Sequence, residues 1–272
     1  MLPIGLSCCG KPLAEELFAA YAAAGISHME ISLPTEAYTD LNYRELRAFS
    51  NRHGVLLWSF HLPFFPFSSI DISRPDLAKG TVAYLAEMIK RAADIGMETF
   101  VIHASGEPIA EEERPARMDC ACESLYTLAE IAASCGGRIA VENLPRTCLG
   151  RNSQDMLALV SVHDRLRICF DSNHLLGEDP FVFLRAVGKY VVTTHISDYD
   201  FTDEKHWLPG EGALDFHRIF TVLKEQGYAG PWLYELGFAA PASHPRSRPL
   251  TCADFVRNAQ EIFAGEKLTV VE

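Results

Sequence analysis

Residues 167–195 read RICFDSNHLLGEDPFVFLRAVGKYVVTTH. A short, mainly apolar run (167–171) ends on Asp171, a helical stretch follows (179–188), and a second run (190–196) is apolar until His195. Neither run alternates apolar and polar residues as a strand with one wet face would. Runs that stay apolar mark parallel strands covered on both faces, and parallel neighbours need a crossover such as the helix seen here. The same unit recurs in both directions. Strand-like runs fall at 3–8, 28–32, 55–61, 99–103, 138–142 and 231–235, and helical stretches at 12–24, 42–53, 75–95, 115–135, 153–164, 214–226 and 250–264. Gly25, Gly54, Gly96 and Gly227 each follow a helical stretch, where a C-terminal cap is expected. Asn152 and Asp215 stand where N-caps are expected.

Eight such units share 272 residues, or 34 per unit, the length of a strand, a helix and two loops. The expectation is a single (β/α)8 barrel over residues 1–272. An open doubly wound sheet would need a glycine-rich phosphate turn after the first strand, and GLSCCGKP at 5–12 is neither GxGxxG nor a P-loop. The longest irregular stretches, 62–74, 104–114, 197–213 and 237–249, all follow strands, on the side where such barrels build their sites. Glu111 to Glu113 in one of them read as a solvated helix entry.

The chain is 48% hydrophobic and 22% charged, which is globular composition, and its net charge is −12. That charge lacks the basic footprint a nucleic-acid binder needs. No apolar run reaches membrane-spanning length. Eight cysteines without metal-site spacing, after an N-terminus unlike an export signal, predict a reducing cytoplasmic setting.

The polar residues that close the strands carry the chemistry. They are Glu30, His61, His103, Glu142, Asp171, His195 and Glu235. One such residue is ordinarily paired or capped. A whole series converging on one barrel mouth would bury several carboxylates that repel one another, and a divalent cation relieves both burial and repulsion. His174 lies three residues after Asp171 and faces the same site, and His206 precedes PGEG in the loop after the seventh strand. His28, His53, His163, His217 and His244 read as structural or surface residues.

The motifs VEN (141–143), FDSNH (170–174), THISD (194–198), HWLPGEG (206–212) and LYE (233–235) resemble those of the xylose-isomerase-like barrel superfamily. That superfamily contains sugar and sugar-phosphate isomerases and epimerases together with type-IV apurinic endonucleases. The resemblance implies one metal held by Glu142, Asp171, His195 and Glu235, with His174 binding substrate. The endonuclease branch adds further metals, which by motif would fall to His61, His103 and an Asp-x-His that here reads Glu204-Lys205-His206. His61, His103, His174, Glu204 and His206 are therefore expected to bind either substrate or a second metal.

A divalent ion (Mn, Zn, Co or Mg) would polarise a ketose carbonyl and favour an enediolate. Glu142 and Glu235, on strands about 135° apart around the barrel axis, would exchange a proton with it as base and acid. Trp58, Phe60, Phe64, Phe65 and Trp207 are candidates for an apolar wall against the sugar. Arg146, Arg151 and Lys205 flank the mouth without forming a phosphate motif. A free sugar, a sugar phosphate, a cyclitol and a hydroxy-keto acid all stay open as substrates. So do a dehydratase variant, a metal-dependent phosphodiesterase, a non-catalytic barrel and self-association.

Overall fold

The computed structural model describes residues 1–271. Its strands are β1 (Ile4–Ser7), β2 (His28–Ile31), β3 (Leu56–His61), β4 (Thr99–His103), β5 (Arg138–Glu142), β6 (Leu166–Asp171), β7 (Val191–His195) and β8 (Trp232–Tyr234). Each is followed by a helix: α1 (Glu15–Ala24), α2 (Tyr43–His53), α3 (Ala78–Asp94), α4 (Arg114–Ser134), α5 (Ser153–Val160), α6 (Pro180–Val187), α7 (Phe216–Glu225) and α8 (Cys252–Ala264). All strand pairs are parallel, in the order β7-β6-β5-β4-β3-β2-β1-β8. The ring closes between β7 and β8 at one bridge, Ile196 with Tyr234. The Thr194 hydroxyl stitches this seam, donating to Pro231 O and accepting from Leu233 N. The fold is the expected (β/α)8 barrel.

Local chemistry sets the boundaries. Asn152 and Asp215 cap α5 and α7 by accepting from the Asp155 and Arg218 amides. Gly25, Gly54, Gly96 and Gly227 all take positive φ, which frees the chain to turn back toward the next strand. Helix α5 stops at Val160, four residues before its expected end, and the His163 ring accepts from the Arg165 amide in the turn that follows. Strand β8 stops at Tyr234, so Glu235 stands just outside the ladder, though its amide still reaches Ile196 O.

The main core lies between sheet and helices and is rich in Leu, Ile and Phe. A small inner cluster of Val101, Ala140 and Cys169 plugs the barrel axis beneath the mouth. No helix among the described residues is long and apolar enough to cross a membrane. All eight cysteines are free thiols.

Candidate functional site

Strands β5 to β8 bring Glu142, Asp171, His195 and Glu235 together, with one ligand-type atom from each within 4.8 Å of the others. His195 Nδ1 is 3.0 Å from Glu235 Oε2, 3.2 Å from Glu142 Oε1 and 3.9 Å from Asp171 Oδ2. Its other nitrogen, Nε2, lies 3.0 Å from Glu30 Oε2, which also accepts from Ser59 Oγ at 2.8 Å. A histidine whose far nitrogen donates to a buried carboxylate has its ring orientation fixed, with the near nitrogen turned toward the cluster and available to a metal that displaces its proton.

This donor set fits a divalent cation. Asp171 Oδ2 and His195 Nδ1 are buried without a hydrogen-bond partner among the described residues. Native proteins rarely leave such groups orphaned. The mixture of carboxylates and imidazole suits Mn, Co, Zn or Mg.

Asn143, next to Glu142 in the VEN motif, explains part of the order. Its side chain donates to Asp171 O and accepts from Asp171 N, both at 2.8 Å. Its carbonyl accepts from His174 Nδ1 at 2.9 Å, which turns His174 Nε2 toward Glu204 at 3.7 Å. His61 donates from Nδ1 to Leu62 O and brings Nε2 to 3.1 Å from Glu142 Oε2, where His103 Nε2 also arrives at 3.2 Å. Three further groups of potential ligands result, His61–His103–Glu142, His61–His195–Glu235 and His174–Glu204–His206.

The electrostatics follow from burial and crowding. Burial pushes the Glu142 carboxyl up, but the neighbouring charges and hydrogen bonds of His195 and His103 hold it well below the usual carboxylate range. Glu235 responds in the same way to His195 and falls to about 2. Asp171 goes the other way, to about 7, because burial and the charges of Glu142 and Glu235 outweigh His174 and His195. Burial alone would lower His174, yet Asp171, Glu204 and Glu142 raise it to about 10.

A cavity of about 350 Å³ opens above this floor. Seven of the nine candidate residues line it, while Asp171 and His195 lie beneath. Cys9, Ser32, Phe64, Leu236 and Gly237 complete the wall.

Some expectations need correction. Glu30 does not join the ligand cluster but supports His195 from behind. Of the five proposed wall aromatics, only Phe64 lines the cavity, stacked on His103 with ring centroids 4.1 Å apart. Trp58 donates to Thr193 Oγ1. Phe60 packs in the core against Tyr38 and Tyr43. Phe65 is exposed, and Trp207 is buried against His244 and Ser243. The five histidines set aside belong to none of the ligand groups. Sequence reasoning missed Ser59, Asn143 and Cys169. Of these, Cys169 Sγ sits within 4.8 Å of ligand atoms of Glu142 and His195, with its thiol pushed well up by burial.

Polar residues gathered at the strand ends of an eight-stranded parallel barrel are the arrangement on which (β/α)8 proteins build their sites. Residues 18–248 match the family described as xylose isomerase-like TIM barrel, and the chain belongs to that family. It is similar to an uncharacterized protein of Methanocaldococcus jannaschii, 26% identical over 238 residues that cover 84% of this chain and 78% of the relative. A 74-residue stretch is 34% identical to the L-ribulose-5-phosphate 3-epimerase UlaE of Salmonella paratyphi A, covering 27% of this chain and 26% of that enzyme. Among solved structures, a D-tagatose 3-epimerase-like protein superposes with a TM-score of 0.75 at 25% identity, covering 86% of this chain and 90% of that one.

Proposed function

We propose that the protein is a divalent-metal-dependent isomerase or epimerase of sugars, with Glu142 and Glu235 as the proton-transfer pair. The observation that carries this is their placement: both carboxylates enter the same cavity, one from β5 and one after β8, with His195 Nδ1 between them. Resemblance to proteins named as sugar 3-epimerases supports the same reading.

Glu142, Asp171, His195 and Glu235 would hold the ion. When bound, it supplies polarisation of a ketose carbonyl. The chain's own residues do the rest. One glutamate removes the proton from the carbon beside the carbonyl, and the C–H electron pair moves into the carbonyl to give an enediolate. The other glutamate carries the proton that is returned. Return to the opposite face gives the epimer, and return at the former carbonyl carbon gives the isomer. His61, His103 and His174 line the cavity where they can donate to the oxygens on which charge develops. The test is solvent deuterium exchange into a ketose panel with added divalent metals. Exchange at the carbon beside the carbonyl supports the reading, and a panel without exchange overturns it.

One observation favours a second reading. The groups His61–His103–Glu142 and His174–Glu204–His206 could hold further ions, as a multi-metal phosphodiesterase requires. Three zinc equivalents together with cleavage at abasic sites would establish it in place of the first.

A further inference from the structure

We propose that the substrate is an uncharged polyhydroxy ketone and not its phosphate ester, a narrowing that rests on the sugar reading above. A phosphate group needs cations or free backbone amides, because its charge is recognised by several charge-assisted hydrogen bonds. Several loops of the mouth have already committed theirs to the protein itself.

The arginines and the lysine nearest the cavity are paired with carboxylates in place. Arg146 is gripped by three carboxylates: Glu107 at 2.9 Å, Asp203 at 2.8 Å and Glu204 at 2.5 Å. Arg151 holds Glu111 through both terminal nitrogens, and Lys205 lies 3.9 Å from Asp200. Farther out, Arg246 forms a two-bond pair with Glu211 that is closed to solvent, and the exposed Arg248 forms a two-bond pair with Asp254. Arg74 pairs with Asp76. Lys11, buried beside the cavity wall, spends its ammonium on three carbonyls: Ser7 at 2.9 Å, Cys9 at 3.1 Å and Leu236 at 3.0 Å. An ammonium has three protons to donate, so none is left.

In the loop after β7 and at the starts of α7 and α8 the backbone amides are committed too. In barrels of this architecture, the phosphate site is commonly built by the last two loops and a helix start. Here the PGEG turn folds around an internal anion. Asp198 Oδ2 accepts from Gly210 N at 2.9 Å and Gly212 N at 2.8 Å, while Oδ1 accepts from Tyr199 N at 2.8 Å and Leu214 N at 3.2 Å. The approach is close enough that a Cβ on Gly212 would stand 2.4 Å from Asp198 Oδ1. The start of α8 is closed by the Thr251–Asp254 capping box, and the start of α7 by Asp215. A phosphate that recruited one of these paired cations would have to displace a carboxylate and face it at the mouth. A neutral polyol can hydrogen-bond to the carboxylates and imidazoles of the wall, beside the Phe64 ring, without displacing any ion pair.

The test compares L-ribulose and D-tagatose with their phosphate esters on the manganese-loaded protein, by deuterium exchange and by calorimetric titration. The expected result is kcat/KM higher by about 100-fold for the free sugars, with esters binding no tighter than their parents. A double variant, Glu107→Gln with Asp203→Asn, loosens Arg146 without touching the proton-transfer pair. It should improve ester binding about tenfold and leave the parent sugars unchanged. Esters bound or turned over better than their parents by the native protein would overturn the inference, as would a double variant that gains nothing. If no compound exchanges deuterium, the sugar reading falls, while the titration still decides whether the site accepts phosphate.

Discussion

His195 Nε2 meets Glu30 Oε2 at 3.0 Å, and neither side chain has any exposed surface. Glu30 is not among the residues that line the cavity of about 350 Å³, so its effect there runs through the imidazole. Glu30→Ala should weaken divalent metal binding about 10- to 100-fold, as loss of outer carboxylates on metal-binding histidines does. Competition with a chromophoric chelator reads this directly. Undiminished affinity would reduce Glu30 to packing.

Glu142→Gln and Glu235→Gln should each cost about 10²–10⁴-fold in turnover, more where metal is also lost. Metal content measured on the same samples separates the two causes. Near-native turnover in either variant would break the proposed pair.

Metal affinity should rise with pH. Asp171 sits near 7, because burial and two neighbouring carboxylates raise it, and His195 is held well above its usual value. Below those values both carry protons that a cation must displace, so binding is weaker at pH 6 than at pH 8. Each proton released contributes about a tenfold change per pH unit. Titration across that range in buffers of different ionisation enthalpy counts the protons, and a flat profile would contradict the arrangement.

The Glu211–Arg246 pair joins the loops after β7 and β8, with both side chains closed to solvent. Arg246→Ala would leave Glu211 buried without its partner, which typically costs about 3–5 kcal/mol. Replacing both residues with Met should cost much less. Urea denaturation of the two variants gives the comparison, and equal losses would show that the pair's charge is unimportant.

Most of the architecture was legible because parallel strands are apolar until they emerge. In RIAVE, RICFD and VVTTH the first acidic or imidazole side chain met after the apolar run is Glu142, Asp171 or His195, and the fold brings these together. Depth was less legible. Glu30 looks like a mouth residue in sequence, yet it pairs across the sheet with Ser7 and Ser59, beside an irregularity at Met29/Glu30, and lies behind His195. Sidedness was also hidden, since a strand that is apolar on both faces does not say which way Trp58 or Phe60 points. The clamps on Arg146 escaped notice because their partners lie 39 and 57 residues away along the chain. Such pairings depend on how neighbouring loops meet.

All four residues of the central cluster arise from β5 to β8, whereas Cys9, Ser32 and Phe64 of the cavity wall come from loops after β1, β2 and β3. Under the proposed function, the proton-transfer pair thus lies in the C-terminal half of the polypeptide, while part of the cavity wall and the Glu30 support of His195 lie in the N-terminal half. Exchange of the loops that carry Cys9, Ser32 and Phe64 between relatives, with Glu30, His61 and His103 retained, offers a route to new substrates that leaves the proposed proton-transfer pair and its supports in place.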